Sequence, residues 1–238
     1  LISNPLILKR IAEEELLSNL YQINSKELYK EANKGYLRYS YDGIFPTTGE
    51  YCYDQPDPFR WRKLKEDLNI EVKDWKMNNG RDILICCQRD GGWSMDGQGV
   101  VSWLVKTIGE IRRYSDRPVT VRFHPGDKRV AGHIKQLAGY RIPKLKISYA
   151  QHITEDFETS YAVINYNSSP AIASVIEGLP TFVLDPDRSQ ANGVVHSSLS
   201  DLESPREFDR ENWLHKLAQC HWTLDELKTG EAWRHLKR

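Results

Sequence analysis

Two adjacent serines, Ser168 and Ser169, stand between an apolar run and a helix-like segment that opens with Pro170. Because the first amides of a helix lack intrahelical acceptors and lie at the positive end of its dipole, they can bind an anion. Together with Asn167, the two hydroxyls therefore predict a phosphate site. In the alternative reading, one serine only caps the helix. Glu177, two turns further on, could reach ribose hydroxyls or face solvent.

A histidine followed by a proline, His124-Pro125, marks a second candidate loop after the apolar stretch "PVTVRF". Proline biases the residue before it to extended backbone, so the ring can be aimed reproducibly from a strand end. The ring could donate a hydrogen bond to a phosphate oxygen or to a leaving group. Arg122 and Lys128 nearby favour an anion. The alternative is a half-buried histidine bonded to a local carbonyl.

The third candidate is the glycine-rich stretch "QRDGGWSMDGQG", which supplies Gln88, Arg89, Gly91, Gly92 and Trp93. Glycines let a backbone approach a ligand closely, and amides in such a loop can point at an anion. We assign these five residues to the same substrate site as the serines. An ordinary strand-to-helix turn is the alternative.

Strand-like and helix-like segments alternate from residue 81 to residue 187 and would position all three loops. "RDILICCQR", "RPVTVRF", "LKISYA", "YAVINY" and "TFVLD" are typical of buried strands, with helical patterns between them. Since parallel strands need long crossovers, the pattern predicts a doubly wound α/β domain with helices on both faces. Ligands bind such sheets outside the carboxyl ends of the strands, where the three loops fall.

Composition excludes several classes of protein. The 33 basic and 33 acidic residues cancel, so no global field favours a nucleic acid or a membrane. No apolar run approaches the ~18 residues of a membrane helix. Four cysteines without a C-x-x-C pair predict neither a disulfide framework nor a zinc site, and they fit a reducing cytoplasm. Near the end of the chain, Thr223 and Glu226 match a helix capping box.

The H-P dipeptide at His124, the Asn167-Ser168-Ser169 run and the G-L-P sequence that follows resemble the nucleotide-sugar domain of glycosyltransferases with the glycosyltransferase-B fold. Bacterial sialyltransferases and capsule Kdo-transferases are the families most similar in these motifs. The resemblance covers about residues 81–187. It implies that His124, Ser168 and Ser169 contact the phosphate of a nucleotide.

The same sialyltransferases carry a catalytic carboxylate in an acidic-acidic-glycine motif, and Tyr41-Asp42-Gly43 matches its last two positions. The resemblance implies that Asp42 is the catalytic base. Chemically, an acceptor hydroxyl attacks better when a positioned carboxylate takes its proton. Tyrosine stands where the family has its first acid, and Asp42 beside a glycine could instead be a turn residue.

Three segments, "QRDGGWSMDG", "RFHPGDK" and "AQCHWTLDELKTGEAWRHL", are similar to glycosyltransferase-like proteins of tailed bacteriophages, some of which modify hydroxymethylated bases. This likeness implies double-stranded DNA containing hydroxymethylcytosine as a possible acceptor. Clustered basic residues would contact its phosphates, or they form only a solvated surface. They are Lys106, Arg112, Arg113, Arg117, Arg122, Lys128, Arg129, Lys135, Arg141, Lys144 and Lys146.

The sequence thus predicts a glycosyltransferase that uses a UDP- or CMP-linked sugar and needs neither a cofactor nor a metal. Residues 1–80 would form the acceptor side, residues 81–207 the nucleotide-sugar domain, and residues 208–238 helices that pack back on the domain boundary. The expected location is the cytoplasm, that of the host if a phage encodes the chain. A sialyl- or Kdo-like glycan transferase, a nucleotide-sugar 2-epimerase and an inactive nucleotide-binding module remain alternatives, and the oligomeric state stays open.

Overall fold

The computed structural model describes residues 7–10, 36–43, 45–77, 79–148 and 151–237, with the backbone alone for Ile7–Arg10, Tyr36, Leu37, Trp93 and Leu224. The chain divides into two compact units. We call Val72–Pro186 with Val195–Phe208 the parallel-sheet unit. The described parts of Leu1–Glu71, Asp187–Val194 and Asp209–Arg238 form the antiparallel-sheet unit. Within the described residues, no helix has the length and apolar character needed to cross a bilayer.

The antiparallel-sheet unit combines a small sheet with four helices. Its strands, numbered along the chain, are β1 (Ile7–Arg10), β2 (Tyr36–Ser40) and β8 (His221–Thr223), in the order β1-β2-β8. Its helices are α1 (Pro58–Asp67), α6 (Glu211–Gln219), α7 (Leu224–Lys228) and α8 (Glu231–Leu236).

One half-buried arginine of α1 connects several parts of this unit. Arg60 of α1 donates to the Ala218 carbonyl over 2.8 Å, pairs with Glu226 over 2.7 Å and lies 3.7 Å above the Trp222 ring. The capping box predicted at Thr223 and Glu226 is confirmed, because each side chain bonds the backbone N–H of the other. The ion pair and the cap thus use the same carboxylate.

The parallel-sheet unit contains five parallel strands in the order β5-β4-β3-β6-β7. They are β3 (Asp82–Cys86), β4 (Val119–Arg122), β5 (Leu145–Ser148), β6 (Ser160–Asn165) and β7 (Thr181–Val183). The connecting helices are α2 (Val100–Ile111), α3 (Val130–Ala138), α4 (Ile153–Thr159) and α5 (Pro170–Ile176). Short 3-10 helices lie at Trp93–Met95, Pro186–Arg188 and Leu199–Asp201. The predicted doubly wound α/β class is confirmed.

The main core lies on the face of the sheet that α2 covers. Ile83, Ile85 and Ile164 project from the central strands into this core, and Leu104 and Ile108 meet them from α2. Because these helical residues repeat at about every fourth position, one stripe of α2 is buried along its length. The core therefore fixes where β3 ends, and with it the loop that carries Gln88.

A tight turn at Gly178 ends helix α5. Its φ is +77°, and a Cβ there would lie 2.0 Å from the Asp74 carbonyl oxygen, so only glycine fits. The amides of Lys73 and Lys76 donate to the carbonyls of Ile176 and Gly178 over 2.9 and 2.7 Å. Residues 73–76 thereby donate hydrogen bonds to carbonyls at the end of α5 that have no partner within the helix.

Candidate functional site

The strand order of the parallel sheet reverses between β3 and β6. From β3 the chain proceeds to β4 and β5, and from β6 it proceeds to β7 on the other side. At such a switch point the two connections leave on opposite faces and open a crevice at the carboxyl ends of the strands. Gln88 follows β3 and Asn167 follows β6, and the Asn167 amide donates to Gln88 Oε1 over 3.2 Å. The structure brings these two predicted residues together.

The side chain of Asn167 joins further loops to this point. Its Nδ2 donates to the Ser94 carbonyl over 2.9 Å and to Asp185 Oδ2 over 2.8 Å. Gln88 Nε2 donates to Ser94 Oγ over 2.8 Å. Ser94 and Asp185 were not predicted, although Asp185 lies two residues after β7, where the general rule for such sheets would have indicated it.

Neither serine of the predicted pair caps helix α5. Ser169 occupies the N-cap position with helical backbone angles, and its side chain makes no capping hydrogen bond. Ser168 Oγ is buried and has no hydrogen-bond partner among the described residues. The reading in which one serine merely caps the helix therefore does not describe this structure.

The His124 ring is held by its own loop. The amide of Gly126 donates to Nδ1 over 2.9 Å, and the amide of Asp127 donates to the His124 carbonyl over 2.9 Å. Since Nδ1 accepts a hydrogen bond, the neutral ring carries its proton on Nε2. The loop thus presents a histidine of defined tautomer at the end of β4, and Pro125 beside it is exposed.

A cluster of charged side chains, which we call the loop latch, connects the loops after β3 and β4: Asp90, Asp127, Arg129 and His133. Asp127 Oδ2 accepts from the Asp90 amide over 3.2 Å, and Arg129 reaches the Asp90 carboxylate over 2.9 Å. His133 Nε2 lies 3.3 Å from Asp127 Oδ2. Burial alone would raise the pKa of Asp127, but backbone N–H groups of Arg129 and Asp90 and the charge of His133 lower it overall. The carboxylate is thereby kept ionised.

The loop latch borders a cavity of about 350 Å³ between the starts of α2 and α3. Besides latch residues, its lining includes Gly99, Ser102, Gly132 and Gln136. Sequence patterns gave no indication of the latch or of this cavity, because their residues come from separate elements.

Arg89 lies directly against Gly126. A Cβ at Gly126 would stand 2.7 Å from Arg89 Nη2, so the guanidinium occupies the space that a larger residue would need. Two of the predicted loops therefore meet here as well. Gly91 is exposed with φ +65°, a conformation that favours glycine, and Gly92 follows it. The side chain of Trp93 lies outside the described residues.

Two predicted substrate contacts are instead engaged in ion pairs within the chain. Arg122 donates to Asp156 over 2.7 Å, and only a tenth of its side chain is exposed. Glu177 accepts from Lys73 over 2.5 Å, with Lys76 at 3.7 Å. Their contacts with substrate stay predictions.

The predicted base Asp42 belongs to the antiparallel-sheet unit, in the turn after β2. It is exposed, and its φ of +65° is uncommon for a residue other than glycine. Gly43 packs so closely that a Cβ there would lie 2.4 Å from Thr48 Oγ1. The backbone of Asp42 therefore has the conformation of a turn residue.

Among the described residues, no three histidine, cysteine, aspartate or glutamate side chains come together as a metal-ligand set. Independence from metal stays a prediction. All four cysteines are free thiols, and burial raises the pKa of Cys86 to about 12.

No protein-family model matches the chain, and no curated protein matches it. Among solved structures, it resembles the β-Kdo 2,4 transferase of Thermosulfurimonas dismutans KpsC over 82% of this chain and 72% of that one, with 10% identity and a TM-score of 0.50. The two proteins share a fold. The β-Kdo 2,7 transferase of the same organism's KpsC matches over 85% of this chain and 72% of that one, with 11% identity and a TM-score of 0.49.

A third solved structure, the UDP-GlcNAc 2-epimerase of Methanocaldococcus jannaschii with UDP-GlcNAc and UDP, matches 67% of this chain and 47% of that one at 13% identity and a TM-score of 0.37. Identities this low concern fold alone. The predicted likeness to Kdo-transferases therefore holds at the level of fold.

Proposed function

We propose that the chain is a glycosyltransferase that moves a sugar from a nucleotide-sugar donor to a hydroxyl acceptor, with the donor phosphates in the crevice between β3 and β6. The observation that carries this proposal is the unpaired, buried hydroxyl of Ser168 beside Asn167. A buried donor without a partner costs about 1–3 kcal/mol. A phosphate oxygen of the donor would recover that cost.

The reaction breaks the bond between the sugar and the donor phosphate, whose oxygen keeps the electron pair. Charge therefore grows on the phosphate in the transition state. Nε2–H of His124 and the hydroxyls of Ser168 and Ser169 stabilise that charge as preorganised donors. The Gly126 amide holds the histidine in the required tautomer.

The acceptor oxygen forms the new bond to the sugar and loses its proton to a carboxylate. We assign that role to Asp42. Its support is the positive φ at a residue other than glycine, because such strained backbone persists where the surrounding structure enforces it and is concentrated at functional sites.

The acceptor that we propose to test first is DNA containing hydroxymethylcytosine, with a UDP- or CMP-linked sugar as donor. The second candidate is a Kdo-like glycan transfer, which is favoured by the fold shared with a Kdo transferase. The motifs at His124 and Ser168 are compatible with either acceptor, since both motifs are assigned to donor binding.

Donor binding tests the proposal directly. We expect isothermal titration calorimetry to detect UDP or CMP, and Ser168→Ala to weaken that binding by roughly tenfold or more, as for the loss of a hydrogen bond to a charged group. Ser197→Ala, at an exposed serine of the same unit, is the matched control. Equal affinity of the wild type and Ser168→Ala would remove the phosphate site from this position.

A further inference from the structure

Two helices of the parallel-sheet unit end side by side at the amino edge of the sheet, opposite the candidate site. Helix α2 is followed by residues 112–118, which lead into β4, and α3 by residues 139–144, which lead into β5. The Val119 amide donates to the Lys144 carbonyl over 3.0 Å, and Arg112 Nη2 donates to the Pro143 carbonyl over 3.3 Å. The two connections therefore form one continuous surface.

Each connection carries an exposed tyrosine next to an arginine. Tyr114 is 39% exposed and Tyr140 is 54% exposed, and they are two of the three large exposed hydrophobic side chains in the described part of the chain. Arg113 precedes the first, and Arg141 follows the second. We call Arg113, Tyr114, Tyr140 and Arg141 the amino-edge surface.

Other basic residues at this edge have structural roles. Arg112 donates to the carbonyls of Ser115 and Arg117, which lie in the connection after α2. Arg117 pairs with Glu203 over 3.1 Å and lies 3.5 Å above the Tyr161 ring. Contacts within the chain therefore account for these side chains.

Arg113 and Arg141 are different, since both are exposed and neither forms an ion pair with any described residue. The guanidinium of Arg113 lies 5.8 Å from the centroid of the neighbouring Tyr114 ring. Two exposed cations beside two exposed aromatic rings are complementary to a partner with both negative charge and flat apolar faces.

We propose that the amino-edge surface binds a single strand of nucleic acid, with the arginines on its phosphates and the tyrosines stacked on its bases. Base stacking on aromatic side chains combined with backbone contacts by cations is how single strands are bound without reading sequence. Because the chain has zero net charge, attraction to a polyanion must come from a local surface such as this one. The amino-edge surface shares no residue with the proposed donor site.

Fluorescence anisotropy of a labelled thymidine oligonucleotide, measured with the whole chain between 50 and 300 mM salt, tests the proposal. Tyr114→Ala/Tyr140→Ala is expected to weaken binding by about tenfold or more, given what one stacked base contributes. Arg113→Gln/Arg141→Gln is expected to make the slope of log K against log salt shallower by about 1.4, at roughly 0.7 per phosphate contact on a single strand.

Matched controls lie on α1. Phe59 is the third large exposed hydrophobic side chain among the described residues, 63% exposed, and Phe59→Ala should leave the affinity unchanged. Arg62→Gln/Lys65→Gln removes the same charge from exposed positions and should keep the salt slope. The proposal is wrong if the wild type does not bind the oligonucleotide, if the controls weaken binding as much, or if anionic lipid vesicles are bound in its place. The proposal is also wrong if the arginine variant loses binding while the tyrosine variant binds like the wild type, because base stacking would then contribute nothing.

Discussion

The backbone amide of Asn167 donates to Gln88 Oε1 over 3.2 Å, and this bond joins the loops that follow β3 and β6. It spans the point where the strand order reverses. Since Ser168 is the next residue, the bond also sets where its unpaired hydroxyl lies.

Removing this bond should therefore loosen the donor site. Gln88→Leu keeps the approximate size of a side chain that is 8% exposed but leaves the Asn167 amide without its acceptor. We expect nucleotide affinity to fall by roughly three- to tenfold, the effect of about one hydrogen bond. Calorimetric titration with UDP and CMP measures it, with the exposed Gln136→Leu as the control. An unchanged affinity would mean that the two loops need no such bond.

The contact between Arg89 and Gly126 gives a second prediction. In Gly126→Ala, the new methyl group would stand 2.7 Å from Arg89 Nη2, so the flexible guanidinium must move. We expect KM for the nucleotide sugar to rise and the stability to change little. Gly132→Ala is the matched control, because its Cβ meets nothing within 4 Å, and an alanine inside a helix should stabilise it by about 0.5–1 kcal/mol. Equal KM values in Gly126→Ala and Gly132→Ala would mean that Arg89 does not contact the donor.

Asp42→Asn tests the proposed base. The amide cannot take the proton of the acceptor hydroxyl, so kcat should fall by about a hundredfold or more while nucleotide affinity stays that of the wild type. Asp54→Asn changes an exposed aspartate of the same unit and should retain activity. A fully active Asp42→Asn enzyme would leave this residue with its turn role alone.

Stability should depend on pH through His221. Burial lowers the pKa of this histidine to about 3, and its Nδ1 lies 2.9 Å from the Leu217 carbonyl oxygen. Between about pH 6.5 and 3 the unfolded chain binds a proton here that the folded chain does not, so the free energy of unfolding falls as the pH falls through this range. Urea denaturation at several pH values should show a shallower decline for His221→Gln than for the wild type. Parallel declines would show that other groups govern acid unfolding.

The fold could be predicted from the sequence because its signals are local. Buried strands such as Asp82–Cys86 appear as short apolar runs, and the capping box at Thr223 and Glu226 spans four residues. The positions of the loops at the carboxyl edge follow from the parallel order of the strands.

Much of the site could not be predicted, because its contacts join distant parts of the chain. Arg122 pairs with Asp156, which is 34 residues away in the sequence, and Glu177 pairs with Lys73, which is 104 residues away. The sequence does not indicate whether a charged side chain binds a ligand or pairs with an oppositely charged residue of the same chain. The latch between Asp90 and Asp127 was missed for the same reason.

Transfer of a sugar to an acceptor is the most direct test of the proposed glycosyltransferase activity. The purified chain would be incubated with a panel of UDP- and CMP-linked sugars and either hydroxymethylcytosine DNA or glycan acceptors, beside a Ser168→Ala/Ser169→Ala control. Mass spectrometry would then detect a sugar added to a nucleoside or glycan. We expect such an adduct with the wild type and its loss in the control. A free epimerised sugar, or bound nucleotide without any adduct across the panel, would contradict it.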